Sequence, residues 1–376
     1  MIVTDKFANI ENYEDIREVV ESKNEISVKE ESGFWIVSYM FSDSNTFDSL
    51  EALECRGITF NASDGSIAAR PVHKFFNVGE KQETLIENLK NFSIQEVQEK
   101  DDGSMIHPVL DKTAPYGVNF KTKKSFISDV ALLAKEYIYE YNPGNIINLS
   151  KDCLNVGLTP TFEFVSPKNR IVVKYEDTEF RFLHLRRNIS GEYMNNNFVD
   201  FLAEDYGISR PSFCSNFQKI AVEDGIESLR KEISEMEDFE GVVIQFTSGE
   251  MVKMKTPWYL RFHRAISFIR ERDIAEMVVD GTLDDTKSLI SEMGESLEPI
   301  EEIEHRVLSQ ISEIQNEVNS VLEESGHKSQ KEFAIENKQH PYFSLIMAAY
   351  QGKTPDYIGF WKRNFLKEKF SLNPVI

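Results

Sequence analysis

The chain has three cysteines in 376 residues, Cys55, Cys153 and Cys214. Their odd number and wide separation exclude a disulfide scaffold and a cysteine-rich zinc site. No apolar run approaches the roughly eighteen residues of a spanning helix, so no membrane segment is expected. The stretch Met1–Glu21 is acidic and has no basic segment followed by an apolar one, so no secretory leader is expected either. G-x-x-x-x-G-K-[ST], G-x-G-x-x-G and H-E-x-x-H are all missing, and the seven histidines show no ligand spacing. These absences speak against a P-loop enzyme, a dinucleotide fold and histidine-zinc catalysis. Positive charge is also scarce: 42 Lys+Arg face 63 Asp+Glu, a formal net charge of −21. On its face that deficit excludes a nucleic-acid binder, which ordinarily carries a basic footprint.

The deficit is not evenly spread. Residues 1–50 hold 4 bases and 11 acids, residues 201–250 again 4 and 11, and residues 273–350 hold 5 and 17. Residues 51–200 are nearly balanced at 18 and 21, and residues 251–272 carry 6 bases and 1 acid. The acidic blocks read as solvated faces that keep the protein soluble. The basic and neutral stretches between them are where a phosphate could be met.

With 41% hydrophobic and 28% charged residues the chain can bury a sizeable core, and its length suits two to three domains. Strand-like runs recur at 34–41, 105–110, 118–122, 161–165, 171–175, 180–185, 242–246 and 251–255, with a helical stretch at 128–141. Ser248-Gly249 between two such runs predicts a hairpin. Strands and helices do not alternate regularly, so an antiparallel α+β domain is expected over 1–257. Beyond it Ile300, Ile303, Val307, Ile311, Ile314, Val318 and Val321 recur at spacings of three and four. That is one apolar stripe of a long helix, and it predicts an all-helical domain over 258–376.

The chemistry-bearing stretches are lysines beside strands and glycines. Lys100-Asp101-Asp102-Gly103 has the pattern of a lysine nucleophile that attacks a nucleotide α-phosphate, a role that needs a neutral amine and hence a lowered pKa. Alone, K-x-D-G is a common surface turn. Its company alters the weighing. Thr161-Phe162-Glu163-Phe164 sets an acid in an apolar run, where it needs a partner. Glu240-Gly241 opens another run with a second acid. Met251-Val252-Lys253-Met254-Lys255 puts two ammonium groups on one strand face, which suits an anionic phosphate better than a lysine-guarded edge strand. Phe120-Lys121-Thr122-Lys123-Lys124 repeats that spacing.

In this order and spacing the pieces resemble motifs I, III, IV and V of the covalent nucleotidyltransferase superfamily of ATP-dependent ligases and capping enzymes, and Phe182-Leu183-His184-Leu185-Arg186 resembles motif IIIa. Four further stretches resemble the RNA ligase 1 family of T-even-type phages, which repair tRNA. These are Ala52-Leu53-Glu54-Cys55-Arg56-Gly57 and Lys74-Phe75-Phe76-Asn77, then Phe162 through Val172, and near the C-terminus Tyr350-Gln351-Gly352 with Asn364-Phe365-Leu366-Lys367. The resemblance spans essentially the whole chain. A helical C-terminal half sets it apart from DNA ligases and capping enzymes, whose second domain is β-rich.

The resemblance implies roles residue by residue. Lys100 would form lysyl-AMP. Tyr39 would contact adenine, lying seventeen residues before Arg56, and Phe76 would pack near it. Arg56, Lys74 and Lys123 would hold the β- and γ-phosphates, and Gly103 would belong to the nucleotide site. Glu163 would serve the ribose or metal-bound waters and Glu240 the catalytic metal. Lys253 would act at the α-phosphate with Lys255 in support, and Asp284 and Asp285 would engage a second metal complex. Lys124 departs from the family's Gly, which leaves Lys123 in place. ATP and Mg²⁺, two ions with Mn²⁺ as a substitute, would be the cofactors. The partner would be RNA with 5′-phosphate and 3′-hydroxyl ends, tRNA foremost. A monomer in the cytoplasm of an infected bacterial host is implied, its helical domain selecting tRNA. The competing readings are another covalent nucleotidyltransferase (a DNA ligase or capping enzyme) and a non-catalytic RNA-end-binding protein.

Overall fold

A computed structural model describes residues 6–42, 45–141, 144–267, 270–292, 294, 296–324, 326 and 329–371. Two compact units divide the chain, Met1–Leu260 and Arg261–Ile376.

The first unit holds twelve strands among the described residues: β1 (Ile26–Glu31), β2 (Phe34–Tyr39), β3 (Arg56–Asn61), β4 (Ile67–Ala69), β5 (Phe76–Asn77), β6 (Ile94–Glu99), β7 (Ser104–Leu110), β8 (Val118–Lys121), β9 (Leu158–Val165), β10 (Glu179–Arg187), β11 (Gly241–Phe246) and β12 (Met251–Lys255). They form three four-stranded sheets, ordered β1-β2-β3-β4, β10-β9-β7-β8 and β5-β12-β11-β6. Every pair is antiparallel except β5 with β12. The α+β expectation therefore holds.

Local chemistry explains the elements. β9 is rich in β-branched and aromatic residues, and Phe162 and Phe164 are fully buried in a core shared with Phe120, Phe180, Phe182 and the helix Asn145–Asn155. Each buried phenylalanine contributes roughly 1.5–3 kcal/mol over its exposed state. The expected hairpin forms, with Gln245 opposite Met251 and the Gly249 N–H donated to Phe246 O at 2.9 Å. β11 and β12 bury Val242, Ile244, Val252 and Met254 against the helices Ser215–Glu223 and Ile226–Ile233. Their other face, with Val243, Lys253 and Lys255, is left for the site.

One expected strand is missing. Residues 171–175 form no ladder, because the Val172 and Val173 N–H groups donate to the Asp102 carboxylate at 2.7 and 2.8 Å. An ionised acceptor makes the stronger hydrogen bond and takes the donors a sheet would use.

The named elements of the second unit are all helices among its described residues. The predicted stripe lies on the helix Glu298–Glu323, where Ile300, Ile303, Val307, Ile314 and Val318 are buried. They pack with Ile274, Leu345 and the fully buried Trp361, whose indole N–H donates to Gln310 Oε1 at 3.0 Å. No helix among the described residues is long and apolar enough to cross a membrane.

Candidate active site

The site is built where β6 ends. Lys100 follows Glu99, and its N–H still pairs with the sheet, donating to Gly241 O at 2.8 Å. Its Nζ lies 2.9 Å from each oxygen of Glu240, the residue that precedes β11. Lys255 on β12 reaches the same Glu240 Oε1, also at 2.9 Å. Glu240 is only 2% exposed, so two ammonium groups share one buried carboxylate. Burial alone would lower the Lys100 pKa, but the Glu240 and Glu163 carboxylates outweigh it and hold the pKa above its ordinary value. The sequence argument asked for a neutral amine. The acids instead favour its charged form.

The loop after Lys100 is fixed by its acids. Asp102 accepts from the N–H groups of Val172 and Val173 and from Tyr259 Oη at 2.7 Å, while its own N–H donates to Tyr175 Oη at 2.8 Å. Asp101 pairs with Arg181. A Cβ on Gly103 would stand 2.5 Å from Phe164 O and 3.0 Å from Glu163 Cγ. Glycine is needed there because the loop presses on β9. That contact sets Glu163 beside Lys100. Burial, with Glu240 and Asp101 adding to it and Lys100 and Arg56 opposing it, pushes the Glu163 carboxyl up to about 8.

A bank of cations stands opposite. Lys253 shares the β12 face with Lys255, and its Nζ sits 5.5 Å from the Phe75 ring centre. Arg56, which opens β3, lies 5.8 Å above the same ring and donates to Val72 O at 3.1 Å. Lys74 lies over Phe76 at 4.9 Å, Phe47 at 5.3 Å and Tyr39 at 5.9 Å. Lys123 lies 3.8 Å from the Tyr39 ring centre. Among the described residues Lys253, Lys74 and Lys123 make no ion pair. Burial, with Lys74, Lys100 and Arg56 in support, pushes Lys253 down to about 7. Burial next to Arg56 pushes Lys123 down to about 8.

A cavity of about 240 Å³ gathers Arg56, Lys100, Gly103, Glu163, Lys253 and Lys255. Glu240 lies beneath it, bonded to two of its lysines. Tyr39, Lys74, Phe76 and Lys123 form an adjoining stack rather than part of its lining. Phe75, not Phe76, lines the cavity; both lay in one quoted run, and strand alternation between them was the available signal. The fixing roles of Asp102, Tyr175 and Tyr259 went unread, since no spacing links 102 to 175 and 259. Asp284 and Asp285 stand in the first turn of the helix Leu283–Glu292 in the second unit. Larger clefts of about 540 and 670 Å³ lie elsewhere in the first unit, and neither gathers a cluster of cations.

Sheets that present a lysine, its carboxylate partner and a facing bank of cations, with a helical unit later in the chain, suit an enzyme that handles a nucleotide's phosphates. Residues 54–259 match the RNA ligase family, and residues 267–370 match the T4 RNA ligase 1 C-terminal domain. The chain belongs to the RNA ligase family and is an enzyme of that kind. A protein of Thermovibrio ammonificans provisionally named RNA ligase is 29% identical over 320 residues, 81% of this chain and 80% of that one. RNA ligase 1 of Bacteriophage TS2126 is 29% identical over 238 residues, 61% of this chain and 56% of that one. Among solved structures, an archaeal ATP-dependent RNA ligase aligns over 80% of this chain and 79% of its own at 13% identity, with a TM-score of 0.45.

Proposed function

We propose that this protein is an ATP-dependent RNA ligase that charges Lys100 with AMP, passes the AMP to an RNA 5′-phosphate, and seals that end to a 3′-hydroxyl. The observation that carries the reading is the Lys100 amine, held by Glu240 inside a cavity whose other wall is Arg56 and Lys253. Lys100 Nζ attacks the α-phosphorus, a P–N bond forms, and the bond to the departing pyrophosphate breaks. The proton that leaves the ammonium has Glu240 within 2.9 Å to receive it. Charge grows on phosphate oxygens, so the cations carry the rate: Lys253 and Lys255 at the α-phosphate, Arg56, Lys74 and Lys123 at the leaving group. Tyr39 and Phe76 stiffen that leaving-group stack.

A divalent ion fits the site in a limited way. Among the described residues no group of three His, Cys, Asp or Glu side chains could cage a metal. Among the described residues Glu163 makes no ion pair, and burial raises its pKa, so a cation beside it would be favoured. Mg²⁺ or Mn²⁺ would be held there through one carboxylate, water and the nucleotide's phosphates, the arrangement Mg²⁺ ordinarily takes. It would withdraw charge from the phosphoryl oxygens. Glu240 would be free to help hold the ion once Lys100 is joined to AMP through the P–N bond and is no longer a cation. Asp284 and Asp285 are proposed for a second ion.

The substrate proposed is tRNA broken in the anticodon loop, selected by the helical unit, with the protein acting as a monomer in the cytoplasm of a phage-infected cell. The support for this finer reading is the match to the T4 RNA ligase 1 C-terminal domain. The test is incubation with ATP labelled at the α-phosphate, then sealing of a 5′-phosphate, 3′-hydroxyl RNA. Wild type takes up the label and seals; a Lys100→Ala protein that still became labelled would sink the assignment. Labelling by GTP alone would favour a capping-type enzyme, sealing of DNA alone a DNA ligase, and RNA binding without any adduct a non-catalytic end-binder.

A further inference from the structure

We propose that Lys121, a lysine with no exposed surface, is a positioning residue that sets Arg56 and Lys123 for the departing pyrophosphate. It therefore controls the charging of the enzyme with nucleotide and not the sealing of RNA. The inference rests on the reading of Arg56 and Lys123 as leaving-group ligands.

Lys121 ends β8 and is 0% exposed. A lysine head in such a place has lost its hydration, and a methionine would fill similar space without that cost. No carboxylate pairs with it among the described residues. Its Nζ contacts two main-chain carbonyls, Gly57 O at 3.3 Å and Lys123 O at 3.4 Å, and the ring nitrogen His107 Nε2 at 3.3 Å. Gly57 adjoins Arg56, and Lys123 is the other cation itself. β3, which starts at Arg56, and β8 belong to different sheets. The Lys121 head thus ties two sheets together at the point where each delivers a cation to the phosphates.

The bonding fits a neutral amine. Burial pushes both Lys121 and His107 well below their ordinary values. Two N–H groups then donate to the two carbonyls, and with His107 in its Nε2–H tautomer the lone pair accepts from that N–H, so the head is satisfied without a counter-ion. Packing is equally close. Gly57 has φ +104, and a Cβ there would stand 2.9 Å from Lys123 O and 3.4 Å from His107 Cε1. With no side chain at 57 and no room for one, a shift of one carbonyl is passed to the other.

A core lysine that merely stabilised the fold would affect every step alike. A positioning lysine acts only where Arg56 and Lys123 act, which is while pyrophosphate is leaving or returning. The experiment measures three rates in Lys121→Met: transfer of label from α-labelled ATP to Lys100, release of the bound AMP by added pyrophosphate, and sealing of RNA already adenylylated at its 5′ end, without ATP. The first two are expected to fall on the order of tenfold to a hundredfold, and the third to stay within about twofold of wild type. An equal loss in all three, or unchanged labelling, overturns the inference. Should Lys121→Met not fold, Gly57→Ala presses on the same joint from the other side. It is expected to show the same split, and an even loss or none there overturns the inference as well. A wild-type protein that took no label would instead overturn the assigned function.

Discussion

Lys100 and Lys253 line one cavity, and they differ in what faces them. Lys100 has Glu240 at 2.9 Å on both oxygens and Glu163 nearby, and its pKa is held above the ordinary value. Lys253 has an aromatic ring beneath it and four cations around it, Lys74, Lys100, Arg56 and Lys255, and burial with their help pushes it down to about 7. Burial acts in the same direction on both, so the neighbours decide. A ring's quadrupole holds a cation in place by about 0.5–2 kcal/mol but does not neutralise it. The cation end is therefore a bank of charge awaiting its anion, and the nucleophile end is a pair already made. The substrate must complete the first and break the second.

The comparison is broken hardest by Glu240→Gln. Lys100 and Lys255 lose their shared counter-charge, and the proton on Lys100 loses its receiver. Adduct formation is expected to fall on the order of a hundredfold to a thousandfold; labelling within tenfold of wild type would show that the pair is not used. Next comes Lys253. A lysine with pKa about 7 loses its charge as pH rises through 7, while an ordinary one keeps it to near 10.5. Binding of an anion favours the charged form, so the KM for ATP should climb about tenfold for each pH unit once pH passes about 7.5. Lys253→Arg stays charged and should flatten that climb; equal slopes in the two proteins would refute the assignment. A smaller effect is on stability. The Glu163 carboxyl titrates near 8 in the fold against 4.5 in an unfolded chain. A raised acid favours the fold below the lower value and loses that favour as pH rises through the higher one. Glu163→Gln should therefore stabilise the protein by about 4–5 kcal/mol at pH 8.5, with the gain fading toward pH 4.5, as thermal melts at the two pH values would register.

Much of this was legible in the chain. The lysine, its two acids and the β12 lysine pair stand next to strands and glycines, and strand alternation carries Lys253 and Lys255 to one face without further information. The long helix of the second unit declared itself by period. The pairing of acids with lysines was not legible, because Lys100 and Glu240 are 140 residues apart. The resemblance gives Glu240 to a metal, and its place between two ammonium groups shows only in the folded chain. Likewise, residues 171–175 read as a strand from composition, and only the folded chain shows Asp102 taking their donors. The acidic total of −21 misled in the opposite way, since it averages over solvated blocks and says nothing of a cavity walled by Arg56, Lys253 and Lys255.

The mildest change tests whether the rings at the cation end matter beyond filling space. Phe75 lies under both Arg56 and Lys253, at 5.8 and 5.5 Å. Phe75→Leu keeps an apolar side chain in the cavity and removes the ring face. If the ring only fills volume, the KM for ATP should not move. If its face holds the two cations toward the phosphates, each loses about 0.5–1 kcal/mol of orientation, and the KM should rise roughly two- to fivefold, with labelling at saturating ATP hardly altered. The Lys100–Glu240 pair does not touch that ring, so the pH dependence of the saturated rate should stay where it was. A shift in that profile would mean that the two ends are coupled through Lys253, which neighbours both.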